Sequence, residues 1–153
     1  MNQTLVLNDH NKKEYPPMHT AEHLLNATMV RLFGCERSKN THIERKKSKC
    51  DYLLDKEPTE LEMQEIVKQV NQAINRHLPV EESFMKQEEA KEIVDLSKLP
   101  EDASDLLRII RIGDYDACAC IGDHVRNTSE IGEFHITTYT FNEGVLRIRF
   151  KLK

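Results

Sequence analysis

The sequence predicts an α+β fold with two layers, an antiparallel sheet covered on one face by helices. Three observations carry that expectation. Apolar residues recur at helical spacing in two separate stretches, 16–33 and 59–78. Apolar and polar residues alternate between 133 and 152 on either side of a short turn. The two patterns follow one another as helix-strand-strand-helix-strand-strand, an order that suits an antiparallel sheet with segregated helices. At 153 residues and 39% hydrophobic content, the chain reads as a single domain over 1–153.

Pro16-Pro17 opens the first helix, which runs to Phe33 and stops at Gly34, a favoured C-terminal cap. Its core stripe is Ala21, Leu24, Leu25, Thr28 and Leu32, with His19 and His23 flanking the buried face. Two short strands are expected around 41–46 and 50–54. Thr59 and Glu62 then form a capping box for a second helix, whose stripe is Met63, Ile66, Val67, Val70, Ile74 and Leu78, ended by Pro79. From 80 to 105 the pattern suggests a strand, a short helix around 87–95 and a polar connection through Pro100. Leu107–Ile112 reads as a buried strand, Gly113-Asp114 as a turn and Tyr115–Ala119 as the returning strand that delivers Cys120. The final pair, 133–141 and 145–152, is joined by Asn142-Glu143-Gly144.

The net charge of −4 argues against indiscriminate coating of nucleic acid, but the charge is unevenly placed. Arg37, Lys39, Arg45, Lys46, Lys47 and Lys49 face the single acid Glu44 within 37–49, whereas 55–105 is acidic. Arg147, Arg149, Lys151 and Lys153 alternate with apolar residues and form a cationic strand face, which also reads as a charge-protected sheet edge. No apolar run approaches the roughly 20 residues needed to cross a bilayer, so a cytoplasmic protein is expected. In a reducing compartment the four cysteines are thiols. Cys35 and Cys50 read as packing residues, and Cys118 as inward-facing or turned away from Cys120.

Two motifs carry chemistry. His19-Thr20-Ala21-Glu22-His23 places two imidazoles four residues apart on one helix face, close enough to share a metal ion. Cys120-Ile121-Gly122-Asp123-His124 adds a thiolate and a third imidazole about a hundred residues later. Each pattern alone is weak in a chain with seven histidines; together they suggest one zinc site. Helix geometry turns Glu22 about 60° from His19, so it is expected as an orienting or solvent-facing residue rather than a general base.

Met18–Leu25, Val70-Asn71, Leu78-Pro79-Val80-Glu81, Glu88-Glu89-Ala90, Arg111–Tyr115, Cys120–His124 and Asn127–Gly132, in that order, resemble the editing domain of alanyl-tRNA synthetase. A chain with this domain alone is similar to the short form of the free-standing AlaX proteins, which act in trans; the wider superfamily is the threonyl/alanyl-tRNA synthetase second additional domain. The resemblance implies that His19, His23, Cys120 and His124 bind Zn²⁺. It implies a deacylase, with tRNA as partner, that hydrolyses the ester of mischarged Ser-tRNA(Ala), and Gly-tRNA(Ala) as a second substrate. Three nitrogens and one thiolate suit zinc on chemical grounds as well. Four protein ligands close a tetrahedral site, so catalysis requires at least three to hold the metal, with His124 the expected spare. The family's usual Cys-Gly-Gly-Thr-His-like loop here lacks one glycine; Ile121 and Asp123 are expected to stiffen it and add negative charge.

A site that hydrogen-bonds a serine hydroxyl rejects alanine better than one relying on size. Thr41 is the candidate for that role, with Thr128 and Gly132 assigned to the same substrate pocket. Arg45, Lys46, Lys47 and Arg126 are the candidates for acceptor-end phosphates. Three alternatives stand beside the deacylase. One is a threonyl-type editing domain, another a zinc-stabilised tRNA-binding module without activity. The third is a His-x-x-Glu-His zinc peptidase, which would need a further glutamate ligand.

Overall fold

The structure, a computed structural model, describes residues 15–94, 96 and 105–153. Pro100 lies outside them. Helix α1 spans Pro16–Phe33, with Pro16 in its first turn and Gly34 closing it in the left-handed region at φ 67°, its N–H bonded to Val30 O. Strands β1 (Asn40–His42) and β2 (Ser48–Leu53) form an antiparallel pair, and α2 follows over Glu60–Asn75. The capping box is present: Glu62 N donates to Thr59 Oγ1 at 3.1 Å and Thr59 N to Glu62 Oε1 at 2.8 Å.

After α2 come β3 (Val80–Lys86), a single-turn helix α3 (Gln87–Ala90), β4 (Leu106–Ile112) and β5 (Asp116–Ala119). A 3-10 turn at Thr128–Glu130 leads into the hairpin of β6 (Phe134–Asn142) and β7 (Val145–Leu152). The α+β class holds, but the strands divide into two antiparallel sheets, ordered β1-β2-β7-β6 and β3-β4-β5. The hairpin turn is two residues, Glu143 and Gly144, both at positive φ (52° and 81°), the geometry that matches strand twist.

Three expectations change. The cationic last strand is no sheet edge, because β7 lies between β2 and β6. Its outward cations are half-buried, and Arg147 forms a two-pronged pair with Asp51 on β2 at 2.8 and 2.9 Å. Helix α2 stops at Asn75 rather than Leu78, with His77 at φ 53°, because Thr128 takes over its end. The Thr128 hydroxyl donates to Ile74 O and accepts from Leu78 N, supplying from a distant turn the cap that the local sequence lacks. The helix expected over 87–95 shortens to 87–90.

The main core joins both long helices to the inner face of the four-stranded sheet, where Cys50 and Tyr52 lie beside Ile148 and Leu146. A smaller cluster of Ala90, Val94, Leu107 and Ile109 sits against the second sheet. Every residue of α1 from Met18 to Met29 is buried, not just one stripe. The helix is enclosed because α2, β5 and the 3-10 turn all pack on it. No helix among the described residues is long and apolar enough to cross a membrane.

Gly132 marks a close backbone approach: at φ 92°, a Cβ there would sit 2.4 Å from Lys153 O. Gly132→Ala is expected to destabilise the fold by about 2 kcal/mol, read as a lowered midpoint in urea or thermal unfolding. Unchanged stability would place Gly132 outside the structural frame.

Candidate metal centre

The two motifs converge. His19 and His23 project from the first two turns of α1, and the loop leaving β5 brings Cys120 and His124 to them. One donor atom from each residue fits in a group whose members all lie within 4.8 Å of one another. Cys120 Sγ is 3.4 Å from His19 Nε2 and 3.6 Å from His124 Nε2. The His19 and His124 rings stack with centroids 4.1 Å apart, and His23 stands edge-on to both.

The surroundings dictate which ring nitrogens carry protons. His19 Nδ1 lies 2.9 Å from the carbonyl oxygen of Asp123, which can only accept, so the proton is on Nδ1. Thr20 Oγ1 donates to Pro16 O, leaving it to accept from His124 Nδ1 at 2.9 Å and from Val125 N at 3.2 Å. His23 Nδ1 lies 3.4 Å from Asp116 Oδ2, too poorly aligned for an ideal bond but electrostatically favourable. His19 and His124 are thereby tied through Nδ1 and turn Nε2 toward Cys120, while His23 Nδ1 faces the Asp116 carboxylate, the kind of support that metal-ligating histidines require. The donor chemistry therefore fits a metal ion.

The charges agree. Burial opposes ionisation of Cys120, but its close contacts with His124, His19 and His23 outweigh it and bring the thiol down to about 2. Burial also opposes charge on His23, yet Asp116 and the Cys120 thiolate lift it well above its usual value, and His19 is raised by Cys120. His124, depressed by burial and by the neighbouring imidazoles, falls to about 4. Asp116 stays ionised because its His23 and Arg37 contacts overcome its burial.

Several supporting residues were not anticipated. Arg37 clamps Asp116 with two bonds, 2.7 and 3.2 Å, and so aims the carboxylate that holds His23. Arg108 on β4 donates to the carbonyls of Cys120 and Gly122 at 2.9 and 2.8 Å and to Glu82 at 2.6 Å, fixing the ligand loop from beneath. The available signals were charged residues inside strand patterns, Arg108 in Leu107–Ile112 and Asp116 in Tyr115–Ala119. Neither Ile121 nor Gly122 adopts positive φ, which explains why the loop tolerates isoleucine; Ile121 itself is exposed.

The other expected residues are dispersed. Thr41 is exposed on β1, its hydroxyl 2.8 Å from Ser38 Oγ and 3.7 Å from Cys50 Sγ. Thr128 is fully buried with its hydroxyl committed to backbone, and Gly132 meets the chain at Lys153. Arg45, Lys46 and Lys47 are exposed between β1 and β2, Arg45 stacking over Tyr15. Arg126 is exposed and lines, with Arg108, Val125 and His124, a cavity of about 450 Å³. Cys50 is buried and Cys35 packs on the core as a free thiol. Glu22 is buried beside the cluster.

Residues 107–149, from β4 through most of β7, match the threonyl and alanyl tRNA synthetase second additional domain. Similarity to alanine–tRNA ligases extends much further. The chain is 34% identical over 137 residues to the ligase of Treponema denticola, covering 88% of this chain and 23% of the ligase. It is 34% identical over 132 residues to that of Shouchella clausii, covering 85% and 15%, and 30% identical over 136 residues to that of Bacillus subtilis, covering 88% and 16%. It thus spans between 15% and 23% of the length of these relatives. The chain is therefore similar to one region of alanine–tRNA ligases, and its residues 107–149 carry the match to the threonyl and alanyl tRNA synthetase second additional domain.

A metal ion must displace protons from His19 and His23, whose pKa values are raised by the Cys120 thiolate and, for His23, by Asp116. Zinc affinity, measured by competition with a chromophoric chelator, is expected to fall with decreasing pH, by up to about a hundredfold per unit while both rings are protonated. A pH-independent affinity would contradict this assignment. Asp116→Asn is expected to weaken zinc binding by about 10- to 100-fold in the same assay.

Proposed function

We propose that this domain is a zinc-dependent aminoacyl-tRNA deacylase that hydrolyses the ester of Ser-tRNA(Ala), and of Gly-tRNA(Ala), in the cytoplasm. The observation that carries the reading is the set of three imidazole nitrogens and the Cys120 sulfur within 4.8 Å of one another, built from both ends of a chain similar to alanine–tRNA ligases. His19, His23 and Cys120 would hold the ion, with His124 as the exchangeable fourth ligand. When bound, zinc would supply a Lewis acid able to polarise an ester carbonyl or activate water.

The chain's own residues support an opening on the His124 side. His19 and His23 are buried, whereas His124 is half-buried and borders the cavity lined by Arg108 and Arg126. Arg126 would meet an acceptor-end phosphate there, and Arg45, Lys46 and Lys47 would meet others along the β1–β2 loop. Thr41 would select serine through its hydroxyl, since the Thr128 hydroxyl already serves Ile74 and Leu78. The peptidase alternative needs a glutamate ligand, and the donor set instead comprises histidines and Cys120.

Purified protein given mischarged tRNAs is expected to release serine over many turnovers. His23→Ala should reduce the rate by roughly a hundredfold or more. Raising salt from about 50 to about 200 mM should lower the rate at subsaturating tRNA at least about tenfold. Stoichiometric tRNA binding without release would instead identify a structural metal in a binding module.

A further inference from the structure

One charged group beside the cluster has no part in the metal set. Glu22 is buried on α1, and its Oε1 lies 3.8 Å from His23 Nε2, the nitrogen turned toward the metal position. Its other oxygen accepts a 2.6 Å bond from Asn26 Nδ2. Asn26 cannot turn away, because its Oδ1 accepts from Tyr52 OH at 2.7 Å and from Ser38 N at 3.2 Å. The carboxylate is therefore held in one orientation, with one oxygen anchored and the other at the edge of the cluster.

The same polar chain continues outward. Ser38 Oγ receives the Thr41 hydroxyl, so Glu22, Asn26, Ser38 and Thr41 form one connected path from the metal position to β1. Asp116, the other buried carboxylate at the cluster, is occupied by two bonds from Arg37 and by His23. Asp123 is exposed and meets His19 through its backbone carbonyl. An aminoacyl ester brings a cationic α-ammonium group next to a divalent ion, and such a pair needs an anion between or beside the charges.

We propose that the Glu22 carboxylate is the receptor for the α-ammonium group of the aminoacyl moiety, which makes the site selective for aminoacyl esters with a free amine over neutral acyl esters. The inference rests on the deacylase reading and names the chemistry by which that site recognises its substrate class. Glu22 acts here by charge and position, through Oε1, while Asn26 fixes its direction.

The test uses a non-hydrolysable RNA minihelix ending in a 3′-seryl amide, together with its N-acetylated form, which lacks the cation. Dissociation constants are measured for the zinc-loaded wild type and Glu22→Gln, with bound zinc quantified in both. Wild type is expected to favour the free amine by about 10- to 100-fold. Glu22→Gln should reduce that ratio to near one while retaining its zinc. The inference is overturned if wild type does not distinguish the two analogues, a result independent of whether the variant folds. It is also overturned if Glu22→Gln keeps the full ratio, or loses its zinc and thereby marks Glu22 as a metal ligand. A parallel assay with Ser-tRNA(Ala) separates the two readings: turnover without amine selectivity defeats this inference alone, whereas absence of turnover and of analogue binding defeats both.

Discussion

The structure depends on a clasp between the start of α1 and the loop leaving β5, segments more than a hundred residues apart. His19 Nδ1 reaches Asp123 O, Thr20 Oγ1 meets His124 Nδ1, and Val125 N donates to the same hydroxyl. These bonds join protein atoms alone. They set the loop's register on the helix and, in doing so, dispose of the Nδ1 protons that would otherwise compete with a ligated ion. Metal affinity and fold are thus coupled through one set of hydrogen bonds.

The clasp also accounts for the unusual character of α1. A helix buried from Met18 to Met29 would ordinarily be apolar throughout, yet this one carries His19, Thr20, Glu22, His23, Asn26 and Thr28 in its interior. Unpaired, each would carry a desolvation cost of about 1–3 kcal/mol or more. Most are met by residues from other elements: Asp123 and His124 meet His19 and Thr20, Tyr52 and Ser38 bond Asn26, and the Asp116 carboxylate faces His23. The price is specificity of partner: removing one member leaves another buried and charged or polar.

Much of the frame was legible in the chain. Pro16 and Gly34 bound α1, Thr59 and Glu62 start α2, and Glu143-Gly144 turns the final hairpin, because these devices act between residues close in sequence. The four donor residues were legible too, since spacing within each motif places both members on one local feature. Less legible were Arg37, Asp116 and Arg108, whose roles are defined by partners on other strands or helices. Arg147 was read as part of a solvated edge for the same reason: its partner Asp51 is far away in sequence. The end of α2 was misplaced because its cap, Thr128, comes from a turn fifty residues downstream.

The sequence by itself determined the elements, their order and the chemical character of the donors, all of which follow from periodicity, caps and side-chain type over short spans. Only the tertiary structure decided that the strands form two sheets, that β7 is central, that α1 is buried from Met18 to Met29 and that Glu22 lies beside the cluster. Those outcomes depend on which distant surfaces meet. A one-dimensional pattern can mark a face as apolar or charged, but the identity of what covers it is a property of the folded chain.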